Sequence, residues 1–174
     1  MPRGPDVLAY RHLAFGKLAD LAVLDTRQYR SKQPCGDGIK ANCAEAAEPR
    51  RTTLGERGRG GLAELLCSGS GTWQVLAQQV MFSQFDWRSF PWSRTTEPGA
   101  GKMDAWDGAL TARERLLGVI REKPASNPVV LTGDMHKGSR SRSRTTGANP
   151  ARAALAWNSS PRRSLRAAMG ARGW

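Results

Sequence analysis

Asn127-Pro128-Val129-Val130-Leu131-Thr132-Gly133-Asp134-Met135-His136 is the stretch whose reading decides the fold. A β-branched apolar run this short, entered through a proline and left through a glycine, predicts a buried strand. Beyond the glycine, Asp134 and His136 stand at i and i+2. In extended chain their side chains leave on one face, where both reach a single metal cluster. Open α/β sheets place their sites just past the carboxyl ends of such strands. The same ten residues also read as a strand, an Asp-containing turn and a surface histidine, and the spacing alone does not separate the two readings.

Working outward, Leu18 to Asp25 (LADLAVLD) is apolar and bounded by charge, and Ala22 to Asp25 predicts a second buried strand. Its end delivers the polar run Asp25-Thr26-Arg27-Gln28-Tyr29-Arg30. Residues 31–53 are rich in proline, glycine and alternating charge, a loop composition. Leu62 to Cys67 carries a short helical pattern behind the glycine-broken piece Arg57-Gly58-Arg59-Gly60-Gly61, which supports a helix poorly. Trp73 to Ala77 reads as a third strand. Phe85 to Gly108 is a long loop holding Trp87, Phe90, Trp92 and Trp106, a composition that packs over a core, rims a pocket or stacks on nucleic acid. Leu110 to Lys123 is the clearest helix, with Leu116, Leu117 and Ile120 at helical spacing and Pro124 ending it. Strands alternating with helices indicate an α/β domain, and three strands are few for one sheet.

Charge divides the chain at the histidine. All 15 acidic residues lie between Asp6 and Asp134, where 18 Lys and Arg leave a net +3. Residues 137–174 hold nine Lys and Arg and no acid, so +9 of the total +12 belongs to the last 38 residues. A basic balance favours polyanionic partners, but here the signal sits in the tail. No apolar run reaches the length of a transmembrane helix, and no h-region follows Met1-Pro2-Arg3-Gly4-Pro5, so neither a membrane span nor a signal peptide is expected. Cys35 and Cys43 bracket a Gly-rich loop and form a disulfide in an oxidising compartment or free thiols in a reducing one; Cys67 is left over, on an apolar helical face.

Four segments carry a resemblance. FGKLADLAVLDTRQYR (residues 15–30), the loop PCGDG (34–38) with its later Cys43, WQVLAQQVM (73–81), and MDAWDG with ARERLL (103–117) leading into NPVVLTGDMH (127–136) resemble the PhoD-type alkaline phosphatase/phosphodiesterase family in kind, order and spacing. The likeness covers roughly residues 10–136. It implies a calcineurin-like metallophosphoesterase sandwich, mixed β-sheets flanked by helices. It implies hydrolysis of phosphate mono- and diesters by a metal-activated water, with calcium and iron as the metals, in an enzyme secreted or held in the periplasm or cell wall. Carried over to this chain, Asp134 and His136 match the late Gly-Asp-x-His metal motif. Arg27 would sit at the phosphate as the catalytic guanidinium, whose fork suits a phosphoryl group. Asp25 and Tyr29 would shape the substrate pocket. Asp25 with Arg27 also reads as a buried ion pair that holds the strand end.

The chain also departs from the family pattern. A two-metal centre needs several Asp, His or Asn ligands around ions about 3.5–4 Å apart, and this chain has only His12 and His136. The early metal motifs have no counterpart in Met1 to Tyr10. After His136 the expected strand-forming, acid-bearing segment is replaced by an Arg/Ser/Ala/Gly tail. Joining the third base of each codon to the first two of the next forces a glutamate at Trp157-Asn158 and a glycine at Met169-Gly170. A stretch Val-Glu-Phe-Val-Ala-Thr-Ser then becomes permissible, similar to the family's continuation. We therefore expect residues 1–136 to be a partial, impaired phosphatase domain and residues 137–174 an irregular basic tail read out of frame. Two other classes stay open: a nucleic-acid-binding protein using the Ser139–Arg144 alternation and the RGRGG piece, and a non-catalytic remnant.

Overall fold

The computed structural model describes residues 9–85, 87–89, 93–122, 127–133, 139–142 and 155–158. Eight strands and two α-helices appear among them: β1 (Arg11–Phe15), β2 (Ala19–Val23), β3 (Ile39–Lys40), α1 (Gly55–Ser68), β4 (Trp73–Gln78), β5 (Gly101–Lys102), α2 (Leu110–Glu122), β6 (Pro128–Thr132), β7 (Ser139–Arg142) and β8 (Leu155–Asn158). Six form one sheet in the order β1-β2-β4-β6-β8-β7; β3 and β5 form a small antiparallel pair. Within the large sheet β2, β4, β6 and β8 run parallel, and β1 and β7 close its edges antiparallel.

The connections from β2 to β4 and from β4 to β6 carry α1 and α2 onto the same face, as right-handed crossovers in one direction require. Ala22, Leu76 and Val130, one from each inner strand, join Leu62 and Leu66 of α1 and Leu116, Leu117 and Ile120 of α2 in a single buried cluster. Trp106 and Phe82 pack edge-on in that core, their ring centroids 5.3 Å apart. The long aromatic loop thus covers the domain's own interior at Trp87 and Trp106, both buried. Phe90 and Trp92 lie outside the described residues.

Three expectations are corrected. The helix expected at Leu62–Cys67 spans Gly55–Ser68 and takes in the glycine-rich piece. The reason is tertiary: Leu62 and Leu66 are buried, and packing outweighs the roughly 1 kcal/mol that each interior glycine costs. Its first residue, Gly55, has φ +66° and the side chain of Tyr29 2.9 Å from where a Cβ would be, so only glycine fits. Cys67 is exposed and does not face the core. The tail expected to be irregular contributes two strands, β7 and β8, with β8 paired to β6 through four register positions. Cys35 and Cys43 are joined, their Cα atoms 6.1 Å apart. The backbone between them holds Asp37 and Asn42 at positive φ, a tight loop that carries β3.

Candidate functional site

The carboxyl ends of β2, β4 and β6 lie side by side, because the three strands run parallel in register. The chain leaving each of them builds one cluster. Leu24 continues the ladder by donating its N–H to the Ala77 carbonyl at 2.8 Å. Gln79, just past β4, then ties the two ends together: its Oε1 accepts the Thr26 N–H at 2.8 Å and the Thr26 hydroxyl at 2.6 Å, while its Nε2 donates to the Leu24 carbonyl at 2.7 Å. On the β6 side the Gly133 N–H donates to the Gln78 carbonyl at 3.1 Å. Below them the Trp106 indole N–H donates to Gln78, whose amide donates in turn to the Thr132 hydroxyl. This floor is buried and hydrogen-bonded, so the loops above it start from fixed positions.

Asp25 shapes the first loop. Its Oδ1 accepts the backbone N–H groups of Arg27 and Gln28, both at 2.9 Å, a turn that only a short acceptor side chain at this position makes. Its Oδ2 is buried with no hydrogen-bond partner among the described residues. The alternative reading of Asp25 and Arg27 as a buried ion pair is not met: a side-chain-to-backbone turn stands there, and the guanidinium reaches Asp104. Arg27 Nη1 reaches both carboxylate oxygens of Asp104, at 3.0 and 2.9 Å. Arg30 Nη1 lies 2.5 Å from the same carboxylate and Gln33 Nε2 3.1 Å from it. Burial works to raise the Asp104 carboxyl, but the hydrogen bonds of Arg30, Arg27 and Gln33 outweigh it and hold it below the ordinary carboxylate range.

That direction has a consequence for acid stability. A depressed folded value means Asp104 stabilises the fold above the unfolded value of 3.8 and loses that contribution as pH falls through the lower folded one. The melting temperatures of the wild type and Asp104→Asn are expected to differ at neutral pH and to converge in strong acid. Parallel pH profiles would mean that the carboxylate does not organise the two arginines.

Arg27, Gln79, Lys102, Asp104 and Gly133 line a small cavity of about 10 Å³ at the strand ends, room for about one water. Arg27 keeps 37% of its side chain exposed there, against 20% for Arg30. Tyr29 lies against Gly55 at the start of α1 and does not line this cavity. Asp134 and His136 lie outside the described residues. His12 is paired with Asp20 at 3.1 Å on the β1–β2 hairpin, not with any residue of this cluster. Among the described residues no group of three or more His, Cys, Asp or Glu side chains gathers as a metal site. The donor set agrees: among the described residues of the cluster, Asp104 is engaged by guanidinium and amide donors, and Asp25 Oδ2 is a carboxylate oxygen without a hydrogen-bond partner. The described residues do not by themselves fit a two-metal centre.

Sequence reasoning missed Arg30, Gln33, Gln79, Lys102 and Asp104. A local hint existed in the three-residue spacing of Arg27 and Arg30, two guanidiniums off one strand end. Their acceptor is 77 residues from Arg27, and no spacing rule reaches that far.

A family model described as PhoD-like phosphatase matches residues 1–158 of this chain. Alkaline phosphatase D of Bacillus subtilis (strain 168) is 42% identical over 136 residues, 78% of this chain and 22% of that protein. A solved structure titled "Structure of PhoD" superposes with a TM-score of 0.79 at 36% identity, covering 91% of this chain and 30% of that one. The chain thus spans about a fifth of the length of the curated relative it matches. Among the described residues no helix is long and apolar enough to cross a membrane.

Proposed function

We infer that this chain, which belongs to the PhoD-like phosphatase family, recognises the phosphoryl group of phosphate mono- and diesters at the ends of β2, β4 and β6. Hydrolysis at an ordinary rate needs metal ligands beyond those gathered among the described residues. The observation that carries the reading is the partly exposed guanidinium of Arg27, with Arg30 and Lys102 beside it, over a rigid floor at the carboxyl ends of parallel strands. A planar fork of donors matches the oxygens of a phosphate. Asp25 sets the loop that aims Arg27, and Asp104 orients Arg27 and Arg30 so that neither guanidinium must be ordered by the ligand. By family resemblance the metal would be calcium or iron, and it would contribute Lewis-acid polarisation of the ester and activation of a water. Asp134 and His136 are the residues we assign to it, with Asp25 Oδ2 an available oxygen. An exported location accords with this reading and with the Cys35–Cys43 bridge.

The test measures binding and turnover separately. Inorganic phosphate is expected to bind, with the affinity falling about 10- to 100-fold in Arg27→Ala, the loss of a charge-assisted contact. Turnover of p-nitrophenyl phosphate and its diester, with added calcium and iron, is expected to stay well below the order of 1 s⁻¹ typical of slow enzymes. Phosphate affinity unchanged in Arg27→Ala would remove the recognition site. Ordinary turnover abolished by His136→Ala would show that the chain holds a complete metal centre.

A further inference from the structure

The segment from Gly101 to Asp104, which borders the candidate site, is held by very little secondary structure. β3 and β5 are two residues each, and a two-stranded ladder of that size does not sustain itself in water. The loop that carries β3 also bends against its own preference. From Cys35 to Asn42 five residues have positive φ, and three of them, Cys35, Asp37 and Asn42, are not glycine. Cys35 lacks the short polar side chain that eases the left-handed conformation for Asp and Asn, so it is the costly one. Such a conformation persists only where its surroundings fix it. Here the fixing bond is covalent: the Cys35–Cys43 bridge closes the loop across a sequence separation of 8.

What this loop grips is Asp104. On one side Gln33, two residues before Cys35, donates its amide to Asp104 Oδ1 at 3.1 Å. On the other, the Gly38 carbonyl inside the bridged loop accepts the Met103 N–H at 2.8 Å, and Asp104 follows directly. Ile39 and Lys40 pair with Lys102 and Gly101 beside these contacts. Asp104 in turn receives Arg27 and Arg30.

We propose that the Cys35–Cys43 bridge positions the arginine cluster: it fixes the loop that holds Asp104, and through Asp104 it sets Arg27 and Arg30, so that phosphate binds at full affinity only while the bridge is closed. That last step rests on the functional reading above; the hold on Asp104 does not. Opening the bridge takes two electrons and two protons, which a dithiol supplies as it becomes a disulfide, and leaves two thiols. Both cysteines are half-buried, and Cys43 lines a cavity of about 740 Å³, so a small dithiol has a way in. Without the bridge the loop regains conformational freedom, Cys35 leaves the left-handed region and β3 parts from β5. Arg27 and Arg30 must then be ordered by the ligand itself, which weakens binding. The floor of the site is tied by Gln79, Gln78 and Thr132 and stays in place.

The experiment uses the full chain in three forms: oxidised, treated with dithiothreitol, and as the double variant Cys35→Ser with Cys43→Ser. Amide exchange is followed at Met103 and inorganic phosphate binding by calorimetry, both well below the melting temperature. Opening the bridge is expected to speed Met103 exchange about 10-fold or more while β4 and β6 stay protected. Phosphate binding is expected to weaken about 3- to 10-fold, as a fall of the competent fraction to roughly a third or a tenth requires. In Asp104→Asn the bridge has no carboxylate to act through, so the same opening is expected to change phosphate affinity less than about 2-fold. Met103 exchange indifferent to the bridge, or phosphate affinity unchanged when it opens, overturns the proposal. So does equal weakening in Asp104→Asn, or loss of protection in β4 and β6, either of which would make the bridge a general support of the fold. Absence of phosphate binding in the oxidised chain removes the functional reading instead, and Met103 exchange then decides the hold on Asp104 by itself.

Discussion

Arg113→Ala is expected to cost about 3–5 kcal/mol, the range for stripping one partner from a buried ion pair, and to lower the melting temperature by on the order of 10 °C. The guanidinium and the Asp107 carboxylate are each only 6% exposed and 2.8 Å apart. Asp107 also accepts the Lys102 N–H, so it fixes β5 and the turn that ends at Asp104. Burial already raises the Asp107 carboxyl above its ordinary range, with Arg113 acting against it. Removing the arginine leaves a charge in the core with that opposition gone. The sign follows from linkage: a raised folded value means stability is fullest below the unfolded value of 3.8 and declines as pH rises through the folded one. The deficit of Arg113→Ala is therefore expected to be greater at alkaline than at mildly acidic pH. Adding Asp107→Asn, which cannot ionise, should recover part of the loss at neutral pH. A deficit flat with pH and unrelieved by Asp107→Asn would assign the cost to lost packing instead.

How far such features can be read from the chain depends on how local their cause is. The strand at Pro128–Thr132 was legible because its apolar run and flanking proline and glycine are all contiguous. The strand expected at Ala22–Asp25 lies at Ala19–Val23 instead. Asp20 interrupts its apolar run, yet it is buried, satisfied by the Gly71 N–H at 2.7 Å and by His12. β1 gave no periodic signal because all five of its residues are exposed. At the site, Asp25 and Arg27 were found through their neighbours in sequence. Asp104 was not, because its role exists only once the β4–α2 connection folds back over the end of β2. The buried pair Asp107–Arg113 reads locally as two surface charges near a helix start. Burial is the whole of its energetic weight, and burial is a property of the fold.

The tail shows the same limit in the opposite direction, and it leads to the second large effect. Its alanine-rich composition reads as unable to offset chain entropy, yet the sheet needs a neighbour for β6, whose Val130 is 1% exposed. Leu155–Asn158 fills that place, pairing in parallel with Val129 to Thr132, and β7 then pairs with β8. The strand requirement comes from β6, not from the tail's own pattern. A chain cut after His136 should therefore lose roughly 2–6 kcal/mol, taking about four ladder hydrogen bonds at about 0.5–1.5 kcal/mol each. It should also aggregate more readily through the bared edge of β6. In the full chain Ala156→Pro removes an N–H from the middle of β8, which is paired on both sides, and should reproduce much of the loss without shortening the chain. Thermal melting and limited proteolysis of the three proteins decide between the accounts. Equal melting of all three would mean that β6 is held by β4 and the helices alone, and that residues 137–174 are the independent basic segment their composition describes.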